Sequence, residues 1–287
     1  IMSKEAKKLP WQLSEYDKSL ITATYFGFIP ITTPRITPAD LEETKYCAVH
    51  PHFDAVEKAA FIRMYMRENF AVLPHPLALA YKRGSKKKSG PASHLGGYSL
   101  HFIGSPSGIA EAALIRATLS ILEEEGYKNL RLDLNCVGDK ESIGAYEREL
   151  HNYVKKFGSG LSEPIKESLR KDVFNLFRNT HEEMLRFRVA APSAISFLSA
   201  PSRNYFKEVL EFVEALGIDF TLAPELIGEK HHSSHTIFCI KSMGIDRELI
   251  EEAPEVLAMG YRYSRLGKKM GLRKEVPMAG CSIFLNE

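Results

Sequence analysis

The chain has 287 residues, with 44% hydrophobic and 26% charged residues and a formal net charge of only +2. This balance is typical of a globular protein with a sizeable core, in one large domain or a domain with an insertion, and it excludes global disorder. A net charge this small creates no strong field for nucleic acid, so such a partner would need a local basic patch. No apolar run approaches the roughly 18 residues of a membrane-spanning helix, and no apolar segment follows the N-terminal lysines. We therefore expect a cytoplasmic protein without a membrane partner.

Four cysteines lie far apart in the sequence, at Cys47, Cys136, Cys239 and Cys281. None of them forms the closely spaced pair of a zinc knuckle, and a chain of this length does not need a disulfide framework. The sequence predicts free thiols that are buried or half-buried.

The chain begins with an apolar pattern of helical spacing over residues 12–26, which predicts a helix. Residues 28–36 alternate and are rich in β-branched side chains, but they contain Pro30 and Pro34. Because proline cannot donate a ladder hydrogen bond, this segment is predicted to be an edge or interface strand. Residues 55–72 then have the pattern of an amphipathic helix.

Two predicted strands follow at residues 77–81 and 98–104, and the loop between them, 82–97, is basic and rich in glycine and serine. We expect this loop to be mobile. The clearest helical pattern spans 107–125, and residues 129–138 alternate like a half-buried strand. This order predicts a mixed antiparallel sheet flanked by helices. It does not fit a Rossmann domain, because no glycine-rich dinucleotide motif is present.

The second half of the chain is helical in character over residues 139–186 and again over 203–216. Residues 218–228 and 235–241 are strand candidates, and 275–287 are predicted to form a short strand at the C-terminal end.

Several segments resemble the histidyl-tRNA synthetases, in the order in which that family has them. The motif 1-like segment reads FGFIPITTPRITPADL, and the segment that leads into motif 2 reads AAFIRMYMRENFAVLPHPLALAY. The most specific match reads RLDLNCVGDKESIGAYERELHNYVKKF, and the motif 3-like segment reads GYRYSRLGKKMGLRKEVPMAGCSIFLNE. The place of the family's own signature is taken by ELIGEKHHSSHTIF.

The resemblance implies an α+β fold of the class II aminoacyl-tRNA synthetase type. Its sheet would be mixed, mainly antiparallel, of six or seven strands flanked by helices. The first part of the class II core would span 1–138, a helical insertion 139–200, and the second part of the core 201–287, with no anticodon-binding domain. The resemblance also implies a homodimer formed through the motif 1-like segment.

The resemblance further carries the family's site positions onto this chain. An ungapped count from Pro76 puts the motif 2 arginine, which contacts the α-phosphate of ATP, at Lys86. The motif 3 arginine, which holds the γ-phosphate, falls at Glu287, and the signature arginine falls at Gly228. The positions of the histidine site fall on Gly97, His101, Gly228, His231 and His232.

Adenylation joins a carboxylate to the α-phosphate of ATP, so its transition state needs fixed guanidinium groups and Mg²⁺. Lysine keeps the charge of arginine without its bidentate geometry, and a carboxylate at Glu287 would repel ATP. The loss of one such donor costs about 10²–10³ in rate. Replacement of three arginines therefore predicts an inactive pseudoenzyme with no cofactor, and ATP and Mg²⁺ are expected only if the chain is active.

Three histidines lie close together at His231, His232 and His235. In a strand, two residues four positions apart would be about 13 Å apart on one face, too far to share an ion. The sequence favours polar surface or pocket lining over a metal site.

Three functions remain open at this stage. The first is an inactive dimeric binding or regulatory module with a partner enzyme, in the manner of the ATP phosphoribosyltransferase regulatory subunit. The second is an active histidine–tRNA ligase that uses Lys86 with Arg83, Arg262 or Arg265. The third is an accessory protein that binds tRNA, other RNA or another polyanion through the basic residues of the loop, which are Lys82, Arg83, Lys86, Lys87 and Lys88. The three missing arginines favour the first.

Overall fold

The computed structural model describes residues 16–47, 52–84, 96–229, 233–243, 254–272 and 274–285. Within these residues the chain forms ten α-helices and eight strands. The helices are α1 (Lys18–Tyr25), α2 (Pro38–Glu43), α3 (Ala55–Arg67), α4 (Ile109–Glu124), α5 (Lys140–Phe157), α6 (Glu163–Lys171), α7 (Asn175–Arg178), α8 (Glu182–Arg188), α9 (Ala200–Ala215) and α10 (Ser264–Lys269). The strands are β1 (Ile29–Pro30), β2 (Leu77–Arg83), β3 (Gly96–Ile103), β4 (Leu130–Gly138), β5 (Phe220–Leu222), β6 (Ser234–Ser242), β7 (Glu255–Arg262) and β8 (Met278–Leu285).

All eight strands belong to one sheet, in the order β1-β2-β3-β8-β7-β6-β4-β5. The pairs β1 with β2 and β4 with β5 are parallel, and the other five pairs are antiparallel. The predicted mixed, mainly antiparallel sheet is confirmed. The described sheet has eight strands rather than six or seven, because two very short parallel strands extend it at both edges.

The edge position predicted for the proline-containing segment is confirmed by β1. Pro30 lies opposite Ala80 of β2, and the next residue, Ile31, donates its N–H to the Ala80 carbonyl oxygen at 2.8 Å. Proline removes one donor, and an edge strand needs donors on one side only. An edge strand therefore tolerates Pro30, and β1 consists of two residues.

The sheet is covered on both faces, and its buried side chains divide into two apolar clusters. One cluster packs helices α3, α5, α6, α7, α8 and α10 against one face of the sheet. The other cluster packs α1, α4 and α9 against the opposite face. The alternation of strand side chains serves both clusters, as Met278 and Ala279 of β8 illustrate. For the same reason β4 is buried along most of its length, and the prediction of a half-buried strand was wrong.

The first turns of α5 and α9 share one cap. Asp139 accepts hydrogen bonds from the Ser142 backbone N–H at 2.9 Å and from the Ser199 hydroxyl at 2.7 Å. The Ser199 hydroxyl in turn accepts the Ser202 N–H of α9. Burial raises the pKa of the Asp139 carboxyl, but hydrogen bonds from Ser142, Ser199 and Ser202 outweigh it and hold the pKa well below its ordinary value. The two helix starts are thereby fixed beside the end of β4.

Two predicted elements differ from the structure. The helix predicted over 55–72 ends at Arg67, and a separate 3-10 turn at Phe70–Val72 follows after Asn69, which has a φ of 56°. The strand predicted within residues 275–287 is present as β8, but it is longer than predicted: it has eight residues, and it lies between β3 and β7 in the sheet.

Strand β7 was not predicted, although it lies in the middle of the sheet. Its Gly260 faces the ring of Phe238, which would lie 2.1 Å from an added Cβ atom. The ring of Phe238 fills the space that a side chain at Gly260 would occupy. β7 therefore has a glycine where the alternation of a strand would place a large residue.

The segment predicted as a helical insertion contains α5, α6, α7 and α8. Its limits, and the division of the rest of the chain, stay predictions. The four cysteines are free thiols, as predicted, and all except the half-buried Cys47 are buried. In the part of the chain that the structure describes, no helix is long and apolar enough to cross a membrane.

Candidate functional site

A group of buried polar side chains fills the space between α3 and the sheet, on the face to which the predicted histidine-site position His101 belongs. We call it the polar cluster. Its members are Asp54, Glu57, Lys58, Tyr81, Arg83, Ser99, His101, Tyr263 and Ser282. They come from the start of α3, from β2, β3 and β8, and from the residue after β7.

Arg83 is the centre of the charged half of the cluster. Its Nε donates to Glu57 Oε2 at 2.8 Å, and its Nη2 pairs with Asp54 Oδ2. The side chain is only 5% exposed. Burial lowers the pKa of Arg83 to about 10, so the guanidinium stays charged at neutral pH. Buried ions persist when they are paired and hydrogen-bonded, and both carboxylates serve that purpose here.

Glu57 also accepts hydrogen bonds from two neutral hydroxyls. Tyr81 donates to Glu57 Oε1 at 2.9 Å, and Ser99 donates to the same oxygen at 2.5 Å. Burial raises the pKa of Tyr81 well above its ordinary value, and the Glu57 charge raises it further. Tyr81 therefore acts as a fixed donor, and Glu57 is occupied on both carboxylate oxygens.

His101 is held on all sides by aromatic residues. Its ring stacks on Phe61 of α3 with a centroid distance of 3.7 Å and an interplanar angle of 8°. Its Nδ1 lies 2.6 Å from the Tyr263 hydroxyl and its Nε2 lies 3.2 Å from the Tyr81 hydroxyl. Burial lowers the pKa of His101 well below its ordinary value, and the Lys58 charge lowers it further. His101 is therefore a neutral imidazole with both ring nitrogens hydrogen-bonded.

Lys58 is completely buried on the same helix as Phe61. Its Nζ donates to the Ser282 hydroxyl at 2.9 Å and lies 5.9 Å from the centre of the Tyr261 ring. Burial lowers the pKa of Lys58, while Glu57 raises it. The cluster thus contains two cations and two carboxylates, and its charges are balanced internally.

The structure brings some of the predicted site positions together and separates others. Gly97 is in β3, the same strand as His101, but no side chain fits there. Its φ is +129°, and an added Cβ atom would lie 2.2 Å from the carbonyl oxygen of Ile283 in β8. Gly228 lies before β6, where its carbonyl oxygen accepts from Arg178 Nη2 at 3.1 Å. The cavity that Gly228 helps to line has a volume of about 10 Å³, room for one water molecule at most.

The predicted polyanion contact through Arg83 is wrong, because this side chain is buried and paired with two carboxylates. Lys82 is exposed, as that prediction requires, and pairs with Asp17 at 3.3 Å. The remaining predicted site residues lie outside the described residues; they are Lys86, Lys87, Lys88, His231, His232 and Glu287. Within the described ranges, no group of three or more metal-ligand side chains is close enough to hold an ion.

Two further arginines were candidates for a rearranged adenylation site. Arg262 is buried and forms a two-point ion pair with Glu111, with both distances 2.8 Å, and it also donates to the Ser105 carbonyl oxygen at 3.0 Å. Arg265 lies in α10, on the wall of a separate cleft lined also by His235. Neither belongs to the polar cluster.

The sequence analysis missed Glu57 and Lys58 as members of the site, as it did every other member of the polar cluster except Arg83 and His101. A signal was present for Glu57 and Lys58, because two adjacent charges sit inside a helix with an otherwise apolar face (AVEKAAFIRMYM). An amphipathic helix normally keeps such charges on its solvent face, and both are buried here. Tyr263 reaches His101 across 162 residues, a contact that no local sequence pattern predicts.

No protein-family model matches the chain. Curated relatives do. The histidine–tRNA ligase of Synechococcus elongatus is 31% identical over 186 residues, which cover 65% of this chain and 41% of that protein. The enzyme of the same description from another Synechococcus is 28% identical over 231 residues, covering 79% of this chain and 52% of that protein. The chain is a histidyl-tRNA synthetase-like protein. It spans about half the length of the curated relatives that it matches.

Solved structures agree on the fold of this histidyl-tRNA synthetase-like chain. The apo histidyl-tRNA synthetase of S. aureus superimposes with a TM-score of 0.66 at 21% identity, covering 96% of this chain and 69% of that one. A Bacillus halodurans protein described as an ATP phosphoribosyltransferase regulatory subunit/histidyl-tRNA synthetase has a TM-score of 0.59 at 13% identity, covering 93% and 74%. The class II aminoacyl-tRNA synthetase-like fold predicted from the sequence is thereby confirmed.

Proposed function

We propose that this chain is a dimeric binding or regulatory module that does not activate histidine. The observation that carries the proposal is the polar cluster: apart from Arg83 Nη1, which has no hydrogen-bond partner among the described residues, the side chains on the predicted substrate face pair with one another. A site for adenylation must instead present charged groups to a ligand before the ligand arrives.

Arg83 is the arginine of the cluster, and its Nε and Nη2 are already paired with Glu57 and Asp54. A two-point contact with a phosphate would take Nε or Nη2 away from Glu57 or Asp54, and that carboxylate would then be buried without its cation. Breaking a buried ion pair in this way costs about 3–5 kcal/mol. Arg262 is held in the same manner by Glu111. Neither guanidinium is poised for a transition state.

The predicted histidine-site positions support the same proposal. His101 donates and accepts within the cluster, and its flat face is covered by Phe61. Gly97 has no side chain with which to bind an ammonium group, and the approach of β8 excludes one. Sensing of free histidine therefore finds no support in these residues.

A regulatory role is supported by a structural neighbour of this chain. The Bacillus halodurans neighbour is described both as a regulatory subunit and as a synthetase, so this architecture is associated with a function other than ligation. For the present chain we infer a partner enzyme of its own. The fold likeness alone does not specify its chemistry.

The dimer is supported by the exposed apolar side chains of the motif 1-like region. Large fractions of five such side chains are in contact with solvent in the single chain: Tyr25 79%, Ile29 52%, Ile36 42%, Leu41 55% and Tyr46 63%. These five side chains lie within 22 residues of one another in the sequence, and exposed apolar side chains of a motif 1-like segment support an interface there. Light scattering at micromolar concentration should give twice the chain mass of 32.3 kDa, and a monomer would contradict this part of the proposal.

The decisive experiment measures ligand binding and chemistry together. The full chain is mixed with ATP, Mg²⁺ and histidine, and both its thermal unfolding and its pyrophosphate exchange are followed, with the S. aureus histidyl-tRNA synthetase as the active reference. A ligand present at 100 times its Kd stabilises a protein by about 2.7 kcal/mol. We expect neither stabilisation nor exchange from this chain. Exchange above the no-enzyme background would support the ligase alternative and overturn the proposal.

A further inference from the structure

A second cavity, of about 520 Å³, lies where β4 ends and β6 begins. We call it the basic cleft. Its lining includes Asp139, Lys140, His235, Arg265, Lys268 and Glu275. The polar cluster contributes no residue to it. Its volume falls within the range of about 300–1,000 Å³ that is usual for small-molecule sites.

Cations outnumber carboxylates in the basic cleft. Lys140, Arg265, Lys268 and Lys269 line it, against Asp139 and Glu275. Asp139 is already saturated, since it caps α5 and accepts the Ser199 hydroxyl. The cleft therefore has an excess of positive charge that its own carboxylates do not neutralise.

Two of the lysines have no polar partner in the described structure. Across the residues that the structure describes, Lys140 and Lys268 form no side-chain hydrogen bond or ion pair, and both are exposed at the rim. Lys269 differs, because its Nζ donates to the Glu43 carbonyl oxygen at 3.3 Å and lies over the Tyr46 ring. Arg265 is half-buried and faces Glu275, whose charge raises the pKa of Arg265 while burial, the larger effect, lowers it.

His235 adds a polar group in a strained backbone. Its φ is 53°, a left-handed conformation that is uncommon outside glycine and costs on the order of 1–3 kcal/mol. Its ring packs against Tyr205 of α9 with a centroid distance of 4.9 Å, and its Nδ1 has no hydrogen-bond partner in the described structure. Burial lowers the pKa of His235, and Arg262 lowers it further. The wall of the cleft thus includes a neutral imidazole, whose Nδ1 is itself buried.

We propose that the basic cleft binds a small polyanion, of the size of a nucleotide or a sugar bisphosphate. Lys140 and Lys268 contact its anionic groups at the rim, and Arg265 contacts them on the wall. The proposal is independent of whether the chain activates histidine, since the two sites share no residue.

The lining favours a compact ligand over a nucleic-acid strand. A single strand is normally held by a continuous cationic groove with aromatic side chains on which bases stack. The described lining of the cleft has no aromatic residue besides His235, and Asp139 and Glu275 limit the cationic surface.

The test uses the full chain and inorganic pyrophosphate, with binding measured by isothermal titration calorimetry at low ionic strength without added metal. We expect the double variant K140A/K268A to bind about two- to thirtyfold more weakly, since it loses two exposed charge contacts of about 0.2–1 kcal/mol each. The matched control is K171A/K207A, which also removes two lysines that are 73% exposed. It should bind within about twofold of the wild type.

A variant with the opposite sign sharpens the test. Glu275→Gln removes a negative charge from the cleft without removing a cation, so pyrophosphate should bind about two- to fivefold more tightly. Two results overturn the proposal: no pyrophosphate binding at millimolar concentration, or equal weakening by the cleft pair and the control pair. Binding of a short single-stranded RNA in the absence of pyrophosphate binding would likewise overturn it, in favour of a nucleic-acid surface.

Discussion

The polar cluster and the basic cleft are both rich in charged side chains, but they differ in where the opposite charges come from. In the cluster, Arg83 finds its carboxylates within the fold, at Asp54 and Glu57. In the cleft, Lys140 and Lys268 find none among the described residues. The comparison shows that the density of charged residues is a poor guide to a ligand site. What distinguishes the two is whether the fold supplies the counter-charge.

The physical reason is the cost of desolvation. A charge removed from water must be paired, so buried ions acquire partners that exclude a ligand. A cation at the rim of a cleft keeps its water until a ligand displaces it. We therefore expect changes in the cluster to act on stability and changes in the cleft to act on binding.

The largest effect is expected from Glu57→Ala. This change leaves Arg83 with one carboxylate and removes the acceptor of Tyr81 and Ser99, so the free energy of unfolding should fall by about 3–5 kcal/mol. Urea unfolding measures it. The matched control is Glu182→Ala, which breaks a fully exposed pair with Arg186 and should change stability by less than about 0.5 kcal/mol. Equal effects of the two variants would mean that the cluster does not stabilise the fold.

The next effect concerns Gly97. Gly97→Ala places a methyl group against the Ile283 carbonyl oxygen and forces an L-residue into positive φ. Gly217→Ala is its control, because Gly217 has a φ of +66° with nothing within 4 Å of an added Cβ atom. Overpacking costs about 1–3 kcal/mol, so the Gly97 variant should unfold that much more easily than the control in the same urea assay. If the two variants unfold alike, β8 gives way at this point and the close approach is unimportant.

A smaller effect is expected from pH. Burial keeps the pKa of His101 well below its ordinary value. As the pH falls, His101 is therefore protonated in the unfolded chain before it is protonated in the folded chain. Stability should therefore fall as pH drops below about 6.5, by at most about 1.4 kcal/mol per pH unit for this residue. Burial also lowers the pKa of His52 and of His235, which adds to the slope with the same sign. Urea unfolding between pH 7.5 and about 5 should show a shallower slope for His101→Gln than for the wild type. An unchanged slope would show that His101 does not contribute.

The smallest effect is expected from the cleft. K140A/K268A should change the free energy of unfolding by less than about 0.5 kcal/mol, because neither lysine has a side-chain partner in the described structure. The same variant is expected to weaken pyrophosphate binding, so the two measurements separate binding from stability. A loss of more than about 2 kcal/mol would place these lysines in the structural framework and remove the contrast between the two regions.

The sequence predicts the fold well and the sites less well, for a physical reason. Segment order and apolar periodicity are local properties, and they identified the hairpin of β2 and β3, the helix α4 and the edge position of β1. The polar cluster depends on pairings across the chain, such as Lys58 with Ser282 over 224 residues. Arg83 illustrates the limit. Its place in a basic loop predicted a polyanion contact, and only the position of α3 reveals that its charge is used inside the fold.

The close approach of β8 to Gly97 determines which change must come first in any attempt to place a histidine-binding side chain at this predicted site position. A polar side chain at Gly97 has no space while Ile283 keeps its carbonyl oxygen where a Cβ atom would be. If arginines were introduced first, the predicted site would still lack a polar side chain at Gly97 to bind the substrate. Such a project has to begin with the backbone of β8, by a bulge or a shift of register, and only then turn to side chains.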